Sequence, residues 1–218
     1  VNARSLRAGR TAAAALAVLA LGGCVSVFPK SDPAQLYTFG RGGGQPAAAP
    51  AQLPNGRVGV LLAGINFPRA AQGDTILTMT GAQAAYIAES RWVAPAVVLF
   101  REAVERRFED EGQRTRLVSR GDLGRSSLIL RLDVREFEAV YAAPEAIPEA
   151  SVSVYARLSR ADGSLLDERL FRVRRPVSDN RVSAIVDGLD RATAEILDGV
   201  VTWADAAAAA QPATPAIG

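Results

Sequence analysis

The chain is 218 residues long, with 25 Lys and Arg against 23 Asp and Glu, no histidine and a single cysteine. The missing histidine removes the commonest general base and the commonest metal ligand, and one cysteine allows no internal disulfide. Three arginines and no acid lie before Cys24, so the remainder carries a formal charge of −1 and no basic bias toward nucleic acid.

Arg4, Arg7 and Arg10 precede an apolar run from Ala12 to Leu21, and Leu21-Gly22-Gly23-Cys24 follows. Leucine, two small residues and cysteine are what a bacterial lipoprotein box looks like. The reading is export, cleavage of the Gly23–Cys24 bond, and diacylglycerol on the Cys24 thiol. An uncleaved transmembrane anchor is the rival. The unbroken run is about half the roughly 20 residues a span needs, and Gly22, Gly23, Ser26 and Pro29 make its continuation a poor helix. The chain's one cysteine falls where the box requires it. Val25 follows it instead of the aspartate that retains many lipoproteins at the inner membrane, which points to the outer membrane facing the periplasm.

Gln35 to Phe39 is a short strand-forming run, and Gly40 to Gly56 turns into a Gly/Pro/Ala-rich connector. Gly42-Gly43-Gly44 is no phosphate loop, because no Gly-Lys-Ser/Thr follows. Arg57–Ala63 and Asp74–Thr80 read as strands, the second ended by Gly81; Tyr86 to Trp92 follows. Pro95 then sits just inside a helix that runs to Glu111, with Val93, Val97, Phe100, Val104 and Phe108 as its apolar stripe and Gly112 as its stop. Four strands come next: Thr115–Ser119, Ser127–Val134, Ser151–Ser159 and Leu165–Arg174. In the second, Leu128, Leu130, Leu132 and Val134 face inward, and the shift of phase to Phe137 marks a bulge or a bend. Asp162-Gly163 supplies the positive φ of a hairpin turn between the last two. Ser178 and Asp179 are capping candidates for a final helix striped by Val182, Ile185, Val186, Leu189, Ala192, Ile196, Val200 and Trp203; an Ala/Pro-rich tail starts at Ala206.

These elements predict an α/β fold, a mixed and largely antiparallel sheet covered on one face by two long amphipathic helices in a single domain. The division is a signal peptide over 1–23, a lipidated tether with a short strand and linker over 24–56, the α/β domain over 57–204, and a disordered tail over 205–218. Arg131 and Arg157 project from the other sheet face, which is wet or used by a partner.

Leu36-Tyr37-Thr38-Phe39, Val58-Gly59-Val60, Phe67-Pro68-Arg69, Thr75-Ile76-Leu77-Thr78 and Arg91-Trp92-Val93-Ala94-Pro95, in that order behind a lipobox, resemble the ABC-type transport auxiliary lipoproteins, the paraquat-inducible protein C-like group. The chain departs from that pattern at Phe67, where leucine is usual, at Ala70-Ala71-Gln72-Gly73, and in a longer insert after Phe39. The resemblance implies a non-enzymatic protein that accompanies an ABC transporter whose substrate-binding partner is a mammalian-cell-entry-type protein. Such systems move lipid between membranes, and the lipoprotein docks the periplasmic assembly at one of them. The ring form of the partner complexes implies homo-oligomerisation.

Other clusters have plainer readings beside functional ones. Trp92 packs at the helix start with Arg91 in solvent, or the pair meets a partner. Arg172 and Arg174 share a strand face, open to phosphate headgroups or simply solvated, with Arg175 near them. Arg120-Gly121-Asp122 is a turn that also spells an adhesion tripeptide, and Glu109-Asp110-Glu111 is a solvated helix end or a cation site. No Gly-x-Ser-x-Gly, Ser-x-x-Lys or distinctive carboxylate pair is present, so no catalytic residue, cofactor or metal is assigned. A lipoprotein that regulates cell-wall synthesis is the alternative function.

Overall fold

The computed structural model describes residues 33–41, 56–123 and 127–210. Gly23, Cys24, residues 42–55 of the connector and residues 211–218 of the tail lie outside the described residues. In chain order the elements are β1 (Gln35–Tyr37), β2 (Val58–Asn66), β3 (Thr75–Thr80), β4 (Gln83–Trp92), α1 (Ala96–Glu111), β5 (Thr115–Leu117), a 3₁₀ turn (Arg120–Asp122), β6 (Leu128–Tyr141), β7 (Glu149–Arg160), β8 (Leu165–Pro176) and α2 (Val182–Ala209).

All eight described strands form one sheet, organised by β6. A strand has two edges, and β7 runs antiparallel along one edge of β6 from Leu128 to Val140. The other edge is shared. β2 pairs in parallel with its first half, Val60 opposite Leu128, and β3 with its end, Thr78 opposite Ala139. β8 extends the antiparallel side beyond β7, β5 flanks β2, and β4 and β1 continue from β3. The long β6–β7 and β7–β8 ladders make the sheet largely antiparallel, while its four parallel joins are short.

The expected bulge is present: the β6–β7 register shifts between Val134 and Glu136. One extra residue restores the inward phase, so Phe137 and Ala139 continue the buried row of Leu128, Leu130, Leu132 and Val134. Ala150, Val152, Val154, Ala156 and Leu158 of β7 stand beside them on the same face. Both helices cover that face. α2 packs on β7 and β8, while α1 packs on β2, β5 and α2. The β7–β8 turn has Gly163 at φ 87°, as Asp162-Gly163 predicts.

Several local expectations change. Pro95 is the N-cap of α1 and not its first helical residue. No side chain caps this helix. The N–H groups of Ala96 and Val97 donate to the Gly73 and Gln72 carbonyls instead, so the loop after Phe67 does the capping. Val93 precedes the helix and is exposed; Leu99 and Ala103 complete the buried stripe. Residues 83–92, which the sequence leaves without an assigned element, are strand β4. It carries extra residues between the pairs Thr75–Arg91 and Leu77–Tyr86, and Glu89 there takes φ 52°. The N-cap position of α2 is Arg181, whose backbone N–H donates to Asp179, and the helix continues to Ala209, past the expected start of the tail.

Phe39 is 1% exposed and belongs to an aromatic cluster, its ring 5.0 Å from Trp92 and 4.9 Å from Phe137. Phe67 joins Phe137 at 5.4 Å and Phe100 of α1 at 5.6 Å. Just after Phe39, Gly40 donates its N–H to Asp190 of α2 and accepts from Arg106 Nε of α1 at 3.0 Å. It has φ 73°, and a side chain would strike Ala103. The segment ending at Gly40 is therefore part of the core. Across the fold, Asp205 of α2 accepts from the Gln113 and Arg114 N–H groups and from the Thr115 hydroxyl, fixing the α1–β5 turn.

Candidate docking face

Because the helices cover one side of the sheet, the alternate residues of β6, β7 and β8 are left on the other. The register places Arg131 of β6 opposite Arg157 of β7, which is in turn opposite Glu168 of β8. Both arginines are exposed, as their phase predicts. Arg157 Nε lies 3.6 Å from Glu168, and Arg135 Nε lies 3.7 Å from Asp133. Tyr155 lies between these groups. The guanidinium carbon of Arg135 is 4.6 Å from its ring centre and that of Arg157 is 5.8 Å away. Arg131, Asp133, Arg135, Tyr155 and Arg157, with Asn66 at the end of β2, line an open groove of about 260 Å³.

A second cluster lies further along the same face. Glu136 accepts from the Ser151 hydroxyl at 2.7 Å and pairs with Arg174 at 3.5 Å and Arg172 at 3.9 Å. Arg172 and Arg174 thus share a face, as alternation predicts, but both are already turned to one carboxylate. Arg175 is on the opposite face and pairs with Glu195 of α2. Burial pushes the Glu138 carboxyl above its usual range; the neighbouring Glu136 adds to this and Arg174 opposes it. On the helix side Asp167 accepts from the Trp203 indole N–H at 2.6 Å, which holds its carboxyl below the usual range and ties β8 to α2.

The remaining clusters take their plain readings. Trp92 is buried, and Arg91 is paired with Asp74 at the surface. Arg120-Gly121-Asp122 forms a 3₁₀ turn closed by a Ser119–Asp122 hydrogen bond. Glu111 pairs with Arg107, and among the described residues no group of three or more His, Cys, Asp or Glu could hold a metal. No helix among the described residues is long and apolar enough to cross a membrane. The sequence reading misses Asn66, Arg135 and Tyr155 as groove residues. Arg135 continues the alternation of Arg131 and Asp133, and Tyr155 alternates with buried residues, so both could have been placed on the open face; that they meet there depends on the β6–β7 register.

The family profile described as "ABC-type transport auxiliary lipoprotein component" matches residues 37–201, spanning the sheet and most of α2. Among solved structures, protein XCC0632 of Xanthomonas campestris, assigned to the DUF330 family, is 25% identical. The match covers 79% of this chain and 96% of that one, with a TM-score of 0.63. A second structure, of an uncharacterized protein, has the same fold at 15% identity and a TM-score of 0.60, over 79% of this chain and 99% of its own. No curated protein matches the chain. The profile covers well over half the chain. The chain belongs to the ABC-type transport auxiliary lipoprotein family.

Proposed function

We propose that this lipoprotein works by binding and not by catalysis: it docks the periplasmic assembly of an ABC-type lipid transporter at a membrane. Its partner on this reading is the transporter's mammalian-cell-entry-type periplasmic protein. The one observation that carries the proposal is the open sheet face, with Arg131 and Arg157 side by side and exposed among the described residues. A polar face of this kind suits contact with another protein through charged and water-mediated bonds. The anchor is Cys24 after cleavage at Gly23, with a tether behind it, the α/β domain, and a tail beyond the last helix. Val25 supports residence in the outer membrane, facing the periplasm. Homo-oligomerisation is inferred from the family resemblance alone.

Three experiments test this. Cys24→Ser should abolish both processing and labelling by a fatty-acid probe, since acyl chains supply the membrane affinity at about 0.8 kcal/mol per buried methylene. Normal cleavage and labelling of that variant would remove Cys24 as the site, and on a density gradient the wild type should travel with outer-membrane markers. Arg131→Glu and Arg157→Glu should each cut capture of the transporter's periplasmic protein by about tenfold, with the fold retained by circular dichroism. Capture at the wild-type level would show that the partner uses another surface.

A further inference from the structure

Three arginines, Arg131, Arg135 and Arg157, line the groove with Tyr155, and two carboxylates pair with them. Asp133 lies against Arg135 and Glu168 against Arg157. The Arg131 side chain has no ion pair or hydrogen bond among the described residues, and it stands directly across from Arg157. Like charges held opposite each other on one sheet face work against folding. The groove therefore carries one uncompensated positive charge, at a position where the free domain gains nothing from it.

We infer that the groove binds a side-chain carboxylate from an acidic, extended segment of a protein partner, seated between Arg131 and Arg157 beside Tyr155. This rests on the reading of the open face as the docking surface and names the chemistry that surface recognises. A guanidinium presents its N–H donors as a planar fork that matches a carboxylate. Arg135 and Arg157 lie near the Tyr155 ring, and that contact favours a restricted set of orientations, which lowers the cost of ordering them around an anion. The net single charge suits a carboxylate. A phosphate monoester, with nearly two charges, would place its surplus against Asp133 and Glu168. The surroundings are also peptide-like in their variety. Leu170, 43% exposed, is the register partner of Tyr155 on β8, and Asn66 of β2 offers an amide beside Asp133 on the other side. A donor-and-acceptor amide, an anion site and an apolar contact thus lie on neighbouring strands, within the span of one short segment.

The test uses the full chain in detergent micelles and a fluorescent, amide-capped peptide of alternating glutamate and leucine. Its glutamine counterpart is the control, and phosphatidylglycerol doped into the micelles is the competitor. The glutamate peptide should bind about tenfold more tightly than the glutamine peptide, and rising salt should weaken it. Arg131→Gln and Arg157→Gln should each lower the affinity about tenfold. The melting temperature of Arg131→Gln should be equal to or above that of the wild type, because the substitution relieves the opposed charges. Equal binding of the two peptides overturns the inference, and so does a lower melting temperature for Arg131→Gln, which would make that arginine a structural residue. Displacement of the peptide by phosphatidylglycerol through Arg131 also overturns it, assigning the groove to a lipid headgroup. The two readings fail separately. Loss of transporter capture in Arg131→Glu without glutamate selectivity keeps the docking face and discards the carboxylate site. Glutamate selectivity with unaffected capture does the reverse.

Discussion

Aspartate in place of Leu132 is expected to unfold the domain. Leu132 is 1% exposed on the helix-covered face of β6, with Ile65 of β2 and Ala156 of β7 as its register partners. Both register partners are apolar and the surroundings belong to the hydrophobic core, so the new carboxylate would be buried among apolar groups. The cost, more than about 4 kcal/mol, is comparable with the whole stability of a small domain. Leu130→Asp should behave in the same way, because Leu62 and Leu158 enclose it. Arg131→Asp is the internal control: one residue along, the side chain points to the open face and the fold should survive. Circular dichroism melts of the three variants decide the matter. A cooperative melt of Leu132→Asp within a few degrees of the wild type would mean that the β6 phase is wrongly assigned.

The second large effect is expected at Gly112, and its cause is space and not backbone freedom. Gly112 ends α1 with φ −66°, a value any residue can adopt. A Cβ there would lie 2.5 Å from the Phe108 carbonyl oxygen and 2.6 Å from that of Thr115. Both are backbone atoms, one held in the last turn of α1 and the other in β5, which pairs with β2. Neither can swing aside as a side chain would. Gly112→Ala should therefore cost about 2–3 kcal/mol by overpacking. Gly64 is the comparison, since nothing lies within 4 Å of its added Cβ. Gly64→Ala should change stability by no more than about 0.5 kcal/mol. Urea midpoints measure both, and similar values for the two alanines would refute the argument from space.

The parts of this fold legible in sequence are those where a local rule decides. Asp162-Gly163 specifies its turn, and the slip from Val134 to Phe137 marks a bulge or a bend, which the register resolves as a bulge; each signal needs only neighbouring residues. Gly112 reads as a stop from sequence, but the reason is the closeness of the Phe108 and Thr115 carbonyls and not a left-handed cap. β4 escaped because its extra residues and the positive φ of Glu89 destroy the period of two on which strand recognition depends. The first turn of α1 escaped for a similar reason, since its N–H groups are met by a loop more than twenty residues upstream. At the candidate site, alternation put Arg131 and Arg157 on the solvent side. It could not put them opposite each other, because that depends on the β6–β7 register set across the loop between Tyr141 and Glu149. Tyr155 and Arg135 became relevant only once that register was known.

The placement of Phe39 and Gly40 inside the core has a consequence for how far the domain can stray from a bilayer. Residues 42–55 look like a tether in composition, yet the chain is held in the domain on both sides of them, by β1, Phe39 and Gly40 before and by β2 after. Length in that stretch adds nothing to the leash. With the lipid on Cys24, as proposed, the usable leash is the chain up to Gln35, at most about 40 Å when fully extended. Within that radius the domain meets a membrane-bound target at an effective concentration set by leash length. Insertions between Val25 and Ala34 would dilute the encounter, while insertions of equal length between residues 42 and 55 would leave it unchanged.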